Sequence, residues 1–194
     1  MRNSDESETQ QDSVAQDAPI FLLDTNAIQS FLGKDTRPLL ESMLQEINDV
    51  GGILAVSDIV LYESLKAIVF NPTKVQPIAD FIDTYLTRYA IDENVLIAAA
   101  RVHEMYGNEP ATKPYREKYS TEDIIIGTTA MLVGGYVLTS DCNDYPAPFF
   151  KEISRQTMYY IAGNRRRHLI MHLLQPDQEV ISSAQVQLQK TVKV

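Results

Sequence analysis

Short apolar runs alternate along this chain with longer stretches in which apolar residues recur every three or four positions. The runs at 20–23, 53–56 and 136–139 are almost free of polar residues, which is typical of strands buried on both faces of a sheet. The longer stretches have the period of amphipathic helices and are bounded by capping residues, glycine or proline. The predicted helices cover about residues 26–32, 39–47, 59–70, 74–88, 92–105 and 120–133. Strands that alternate with helices predict the α/β class, with a parallel sheet covered on both faces.

The chain divides into three segments by composition. Residues 1–19 are rich in Ser, Gln, Asp and Glu and are predicted to form a disordered acidic tail, because they offer too little apolar surface to offset the entropy of ordering. Residues 20–161 carry the alternating pattern and form the predicted domain, whose last strand is expected near 157–161. Residues 162–194 are a C-terminal extension of unknown role, and residues 107–119, which contain two prolines, are predicted to be a loop.

Composition and charge narrow the class of protein. The 194 residues are 44% apolar, which suits one domain with a sizeable core. The single cysteine, Cys142, excludes an intramolecular disulfide and a multi-cysteine zinc site. No apolar run is long enough for a membrane span or the core of a signal peptide, so a soluble cytoplasmic protein is expected. The net charge of −9 counts against nucleic acid as a partner unless many of the acids converge on bound cations.

Five acidic residues stand where predicted strands end or helices begin. Asp24 directly follows the first predicted strand, and Asp141 and Asp144 follow the strand at the end of the alternating pattern. Glu63 lies one to two turns into the helix after the second strand, and Asp123 lies in the first turn of a later helix. In an open parallel sheet, ligands bind outside the carboxyl ends of the strands. These five carboxylates are therefore expected to meet at one edge of the sheet.

Convergence of carboxylates at one edge predicts a metal site, because carboxylates without a counter-charge repel and raise one another's pKa. A hard cation relieves that conflict, and ligands that are all oxygen favour Mg²⁺ or Mn²⁺ over Zn²⁺. Such ions suit the hydrolysis of a phosphodiester. They lower the pKa of a bound water, orient the phosphate, and stabilise charge on the attacking and leaving oxygens.

Each acid also has an ordinary structural interpretation. Asp24 can cap the helix that follows it, and Asp123 can complete a capping box at the start of its own helix. Asp141 and Asp144 can form turns, and Glu63 can be a solvated charge on a helix surface. Taken singly, each residue favours the structural interpretation, whereas the joint placement of all five at strand ends favours a site.

Four segments of the chain resemble the motifs of the PIN domain, the nuclease fold of the VapC toxins of bacterial and archaeal toxin–antitoxin pairs. They are FLLDTN at 21–26, VSDIVLYE at 56–63, DIIIGTTA at 123–130 and VLTSDCNDY at 137–145, in the family's order and approximate spacing. The similarity covers roughly residues 20–160. It implies a three-layer α/β/α sandwich with a central, mostly parallel sheet.

The resemblance also implies an activity, namely metal-dependent endoribonuclease cleavage of RNA by the toxin of a toxin–antitoxin pair. Asp24, Glu63, Asp123 and Asp141 would be the catalytic acids that bind one or two Mg²⁺ or Mn²⁺ ions, and Asp144 would complete the metal site or support it from outside. The supporting polar residues would be Thr25, Asn26, Ser57 and Thr139. The implied partners are the RNA substrate, an antitoxin protein and a second copy of the chain, with no membrane. The apolar helices between about 39 and 105 offer surfaces for the protein partners.

Two groups of basic residues are candidates for RNA binding. They are Lys113, Arg116 and Lys118, ahead of the helix that carries Asp123, and the run Arg165, Arg166 and Arg167. The arginine run is equally consistent with a solvated turn. Many PIN relatives have a basic residue just before the acid of the fourth motif, where this chain has Ser140. His168 and His172 have the spacing of a metal-binding pair on a helix, but the segment that contains them is equally consistent with a strand.

Three alternatives to a toxin stay open. The chain could be a PIN nuclease of RNA processing without an antitoxin, which a missing short reading frame beside the gene would favour. It could be a catalytically inactive PIN module that binds protein or RNA, although all the expected acids are present. It could also have an unrelated α/β fold in which the acids are caps, each worth about 1 kcal/mol of stability and nothing to any activity.

Overall fold

The computed structural model describes residues 18–66 and 68–191 of the chain. Six strands form one sheet. They are β1 (Ile20–Leu23), β2 (Ile53–Ser57), β3 (Thr87–Tyr89), β4 (Tyr136–Thr139), β5 (Phe150–Ala162) and β6 (Arg165–Pro176). Their order across the sheet is β3-β2-β1-β4-β6-β5. The first four strands in this order are parallel to one another, and β6 is antiparallel to both of its neighbours.

Helices flank this sheet and connect its parallel strands. They are α1 (Thr25–Leu32), α2 (Arg37–Asp49), α3 (Asp58–Lys66), α4 (Pro72–Tyr85), α5 (Glu93–Asn108), α6 (Thr121–Val133) and α7 (Gln178–Thr191). Two short 3₁₀ helices occupy Lys113–Lys118 and Cys142–Asp144. The predicted α/β fold with a central, mostly parallel sheet is therefore confirmed.

At the centre of the sheet, β1 and β4 end at the same level. β1 lies between β2 and β4, and its Leu22 and Leu23 are fully buried. Leu23 is in register with Leu138 of β4, and the backbone N–H of Asp24 donates to the Leu138 carbonyl at 3.0 Å. The chain therefore leaves β1, β2 and β4 along the same side of the sheet, which we call the carboxyl edge.

Helix α6 runs through the interior, which explains its weak amphipathic pattern. Every residue from Ile124 to Ala130 is buried, so the sequence there is apolar or small on all sides. The helix ends at Gly134, whose φ of +64° is a left-handed conformation that suits glycine. This buried helix holds the residues of its first turn at a constant position relative to the sheet.

Residues beyond the predicted domain form a central part of the sheet. Residues 162–194 are predicted to be an extension, but β6 is inserted between β4 and β5, and residue 161 lies inside β5. The outer half of this hairpin is exposed on both faces, so its sequence shows no period-2 alternation that would predict a strand. The core depends on this segment, since Met171 and Leu174 of β6 are buried.

Several predicted boundaries differ from the structure. The helix expected over 59–70 ends at Lys66, and the predicted loop over 107–119 contains the last turn of α5 and a 3₁₀ helix. His168 and His172 belong to a strand, where four residues span about 13 Å, so the two rings do not share an ion. The first 17 residues of the predicted acidic tail lie outside the described residues.

The position of β6 in the core predicts a large cost for truncating its buried side chain. We expect Met171→Ala to lower the free energy of unfolding by about 2–5 kcal/mol in urea denaturation, because the change leaves a cavity beside β4. Arg167→Ala on the exposed outer part of the same strand is the control and is expected to change stability by less than about 0.5 kcal/mol. Equal, small effects of both changes would contradict the placement of β6 in the core.

Candidate acidic site

The five predicted acids come from separate segments that end or begin at the carboxyl edge. Asp24 follows β1, Glu63 lies in α3, Asp123 lies in the first turn of α6, and Asp141 and Asp144 flank or close the 3₁₀ helix after β4. We call these five residues the acidic cluster. Thr25, the neighbour of Asp24, donates to Glu63 on α3, and the negative charges of the other acids raise the pKa of Asp24, Asp123 and Asp144.

Asp24 is the most deeply buried member, with 3% of its surface exposed. Its Oδ2 accepts hydrogen bonds from Thr139 Oγ1 and from Asn26 Nδ2, both at 2.7 Å. Its side chain also accepts from the Thr25 backbone N–H and so caps α1. The capping interpretation of Asp24 is therefore correct, and it is compatible with a role in the site.

Asn26 and Thr139 connect the end of β1 to the turn after β4. Asn26 Oδ1 accepts the backbone N–H of Ser140 at 2.7 Å, and Thr139 Oγ1 accepts the backbone N–H of Asp141 at 3.0 Å. Asn26 Nδ2 also donates to Thr139 Oγ1 at 3.0 Å. This network leaves the buried carboxylate of Asp24 with a fixed orientation towards the carboxyl edge.

Glu63 and Asp123 are held by hydroxyl groups of neighbouring residues. Thr25 Oγ1 donates to Glu63 Oε2 at 2.5 Å, while Lys66 Nζ lies 3.3 Å from Glu63 Oε1. Ser120 Oγ accepts the Asp123 backbone N–H at 3.0 Å and donates to Asp123 Oδ2 at 2.5 Å. The predicted capping role of Asp123 is therefore also present.

Asp141 and Asp144 differ in how they are held. Asp141 Oδ1 accepts the backbone N–H of Asn143 at 3.0 Å and its side-chain amide at 2.8 Å, which makes the predicted turn. Asp141 is exposed, whereas Asp144 is half-buried beside the other acids. Asp144 is thus the member whose charge is most affected by its neighbours.

Burial and mutual repulsion raise the pKa of three members of the cluster. The pKa of Asp24 is raised to about 6, first by burial and then by the negative charges of Asp123 and Glu63, although the Thr139 and Thr25 hydrogen bonds lower it. The pKa of Asp144 is raised to about 7 by burial and by the charges of the other four acids. Burial, followed by the charge of Glu63, also raises the pKa of Asp123. The cluster therefore favours either protons or a cation.

The donor set suits a hard cation, but the carboxylate oxygens are not gathered around a single point. Among the described residues, the group of three potential ligands within 4.8 Å of one another is Cys142, Glu152 and His172, and no three acids of the cluster are that close. Mg²⁺ is commonly held by one or two carboxylates and several waters. In that mode, two carboxylates of the cluster would be enough to hold one ion.

Tyr145 borders the acidic cluster but is not among the residues that the sequence predicts for the site. Its hydroxyl is buried without a hydrogen-bond partner among the described residues. Burial, followed by the charges of Asp24, Asp123 and Asp144, raises its pKa well above the ordinary value. Ser57 Oγ, one of the predicted supporting groups, is likewise buried and unpartnered within the described part of the chain. Each hydroxyl is available to a bound water or ligand.

The β5–β6 hairpin projects past the carboxyl edge. His172 is in register with Thr139, the last residue of β4, and β6 runs antiparallel to β4. Residues earlier in β6 therefore continue beyond the edge, and Arg166 lies about 20 Å further along at about 3.3 Å per residue. Arg166 stacks on Tyr159 of β5 with its guanidinium carbon 4.4 Å from the ring centre. The tip carries Arg165, Arg166 and Arg167, all exposed.

The predicted RNA-binding residues ahead of α6 are only partly free to contact a phosphate. Arg116 donates to Glu104 Oε1 at 2.6 Å and contacts the His103 ring, so its charge is already paired. Lys113 and Lys118 are exposed, and Lys118 Nζ lies 5.0 Å from the centre of the Tyr115 ring. Of the two basic groups, the exposed arginines of the hairpin tip are therefore the more accessible to a phosphate.

No protein-family model and no curated protein matches this chain. Among solved structures, it is similar in fold to the crystal structure of VapBC2 from Rickettsia felis bound to a DNA fragment from their promoter. The match covers 65% of this chain and 90% of that chain, with 16% sequence identity and a TM-score of 0.45. The likeness concerns the fold, and no function is inferred from it. In the part of the chain that the structure describes, no helix is both long and apolar enough to cross a membrane.

The raised pKa of Asp144 predicts how stability depends on pH. Between about pH 4 and pH 7, the folded protein binds more protons at this carboxyl than the unfolded chain does, so metal-free protein loses stability as the pH rises through that range. We expect Asp144→Asn to melt at a higher temperature than wild type at pH 8, with the difference closing towards pH 4.

Added Mg²⁺ should raise the melting temperature of wild type at pH 8 and raise that of Asp144→Asn less, because the ion binds the folded charged cluster. Asp35→Asn, an exposed change outside the cluster, is the control in the same thermal melts. If Asp144→Asn is less stable than wild type at pH 8, the repulsion inferred for Asp144 is contradicted.

Proposed function

We propose that this protein is a metal-dependent endoribonuclease that hydrolyses RNA phosphodiester bonds at the acidic cluster. The observation that carries the proposal is the approach of carboxylates from four separate segments at the carboxyl edge, where they raise one another's pKa. Such an arrangement costs stability unless a cation is bound. A function that needs the cation would explain why the fold keeps these carboxylates together.

Asp24, Glu63, Asp123 and Asp141 are the proposed catalytic acids, and Asp144 completes the metal site. These residues would hold Mg²⁺ or Mn²⁺, which would supply an activated water and stabilise developing charge on the phosphate oxygens. The chain's own contribution is orientation. Thr25 donates to Glu63, and Asn26 and Thr139 donate to Asp24. The Ser57 hydroxyl, which bonds to no described residue, is proposed to contact a water or the phosphate.

RNA is the proposed substrate because the projecting hairpin supplies the positive charge that the rest of the chain lacks. Residues 150–176 contain five Lys or Arg and one acid, in a chain whose net charge is −9. The exposed Tyr159 beside Arg166 adds an aromatic surface on which a single-stranded base can stack. An RNA strand that follows the hairpin inward would reach the carboxyl edge.

The finer proposal is that this nuclease is the toxin of a toxin–antitoxin pair. Its support is a set of large apolar side chains left exposed between residues 50 and 97. They are Val50, Tyr62, Val69, Phe70, Tyr85, Leu96 and Ile97. Exposed apolar side chains form protein interfaces where they adjoin one another, and Val69 and Phe70, like Leu96 and Ile97, are neighbours in the chain. An antitoxin and a second copy of the chain are the proposed occupants.

A catalytically inactive module that binds protein or RNA is the second candidate. The observation in its favour is the spacing of the acids, since no three of their oxygens lie within 4.8 Å among the described residues. Metal binding separates the two candidates, because an inactive module has no need of the ion.

Cleavage of a mixed single-stranded RNA pool with Mg²⁺ or Mn²⁺ tests the nuclease. We expect wild type to cut and EDTA to stop it. Asp24→Asn should lower the rate by more than about 100-fold, since even groups that only hold metal ligands are worth about 10–100-fold. Thr139→Val, which removes the hydroxyl bonded to Asp24 but keeps the shape, should fall within that smaller range.

The control in the cleavage assay is Asp35→Asn, which should cut as wild type does. Folded wild type that cuts no RNA over a range of metals and sequences would favour the inactive module. If cutting is observed, expression of the chain alone should arrest growth and Asp24→Asn should not. Cutting without growth arrest would favour a nuclease of RNA processing.

Neutralising the hairpin tip tests the RNA surface separately from the chemistry. We expect replacement of Arg165, Arg166 and Arg167 by Gln to weaken binding of single-stranded RNA and to flatten its dependence on salt by about 0.7 for each phosphate that these arginines neutralise. The matched variant is Arg37→Gln, which removes an exposed arginine on α2. Unchanged affinity and salt dependence in the tip variant, measured by fluorescence anisotropy, would contradict the proposed surface.

A further inference from the structure

A second group of potential metal ligands lies behind the turn that carries Asp141 and Asp144. It consists of Cys142 in the 3₁₀ helix after β4, Glu152 on β5 and His172 on β6. One ligand atom from each residue lies within 4.8 Å of the other two. The three residues come from three elements, so their meeting is produced by the insertion of β6 between β4 and β5. We call them the Cys-Glu-His group.

Two members of the group, His172 and Glu152, are already positioned close together. His172 is 6% exposed, and its Nδ1 lies at a hydrogen-bond distance of 2.8 Å from Glu152 Oε2. Hydrogen bonds from His172 and Arg155 lower the pKa of Glu152, so its carboxylate is charged. Arg155 Nε donates to the other oxygen, Oε1, at 3.1 Å. An ion that replaces the proton between His172 and Glu152 Oε2 would therefore leave the hydrogen bond from Arg155 Nε to Oε1 in place.

We propose that Cys142, Glu152 and His172 bind a transition-metal ion of the Zn²⁺ type, separate from the hard cation proposed for the acidic cluster. Sulfur, imidazole and carboxylate are the three donors that Zn²⁺ takes in proteins, whereas Mg²⁺ does not select sulfur or nitrogen. A thiolate and a carboxylate balance the charge of a divalent ion. With three protein ligands, the fourth tetrahedral position is filled by water.

The His172–Glu152 pair requires only a small adjustment, and the Cys142 sulfur lies within 4.8 Å of both ligand atoms. Two ligands at the zinc distance of about 2.0–2.2 Å lie about 3.4 Å apart in a tetrahedron. The His172 and Glu152 atoms, now 2.8 Å apart, would separate by a few tenths of an ångström. Glu152 adjoins the irregular register of β5 at Glu152/Ser154, where the strand departs from regular pairing. The bound ion would fasten the turn that carries Asp141 and Asp144 to the β5–β6 hairpin.

Co²⁺ titration of metal-free full-length protein tests this site. Co²⁺ takes zinc sites and reports thiolate ligation by a charge-transfer band in the near ultraviolet. Because Cys142 is the only cysteine in the chain, any such band comes from it. We expect the band to saturate at one equivalent, to disappear on addition of Zn²⁺, which binds more tightly than Co²⁺, and to be absent in Cys142→Ser.

Variants of the other two ligands separate a built site from an isolated thiol. Glu152→Gln and His172→Gln should each weaken Co²⁺ binding by at least about tenfold. His168→Gln on the same strand and Asp24→Asn in the acidic cluster should leave it within about twofold, the latter even if RNA cleavage is lost. Circular dichroism checks that each variant is folded. If the variant of the buried His172 does not fold, the Co²⁺ affinity of Glu152→Gln alone tests the site.

Protection of the thiol gives an independent measure. Stoichiometric Zn²⁺ should slow alkylation of Cys142 by at least about tenfold in wild type, because a metal-bound sulfur is withdrawn from reaction, and should protect it much less in Glu152→Gln. A missing charge-transfer band with unprotected thiol would overturn the proposal. So would a band whose affinity is the same in wild type, Glu152→Gln and His172→Gln, since that is binding to the thiol alone.

Discussion

Repulsion among the carboxylates at the carboxyl edge is the constraint on which the rest of the structure depends. Asp24 is buried beside other acids, an arrangement that desolvation and like charge both oppose. It is held there by bonds from Thr139 and Asn26, which themselves fasten the turn after β4. The central position of β1 and the buried helix α6 supply the packing that offsets the electrostatic cost. A proton or a cation at the edge relieves what remains of it.

One pairing in the sheet links this edge to the rest of the molecule. The register of Thr139 with His172 places the middle of β6 beside the end of β4. On one side of that point β6 completes the core, and on the other it leaves the sheet as a basic hairpin. The same register brings His172 to Cys142 and Glu152. The proposed RNA surface and the proposed zinc site therefore both depend on the insertion of one strand.

The acidic cluster and the Cys-Glu-His group differ in chemistry although they share a turn. Carboxylates together with coordinated water suit a hard ion that acts on phosphate. Sulfur and imidazole suit an ion that is held firmly and orders the chain. In the proposed arrangement, Cys142, Glu152 and His172 would hold an ion that fixes the turn carrying Asp141 and Asp144, and the acidic cluster would hold the ion that assists phosphodiester hydrolysis. Each site has its own ligands, so loss of one leaves the other measurable.

Local sequence determined the parts of this protein whose causes are local. The buried runs of β1, β2 and β4 were predictable, because burial on both faces leaves an apolar run in the sequence. The positions of Asp24 and Asp141 after strands and of Asp123 in the first turn of its helix were also predictable, because turns and caps favour particular residues. Proximity of the five acids followed from the general rule that strand ends meet at one edge of a parallel sheet. Their residue-level roles remain predictions.

Tertiary structure alone decided the place of β6, the position of Tyr145 beside the acids and the meeting of Cys142, Glu152 and His172. The outer half of the hairpin is exposed on both faces, so the residues that begin β6 carry no hydrophobic period, and the segment resembles a solvated turn. Which strand inserts beside β4 depends on pairing between residues more than 30 positions apart. Such pairing is selected by the packing of the whole core, and no short stretch of sequence records it.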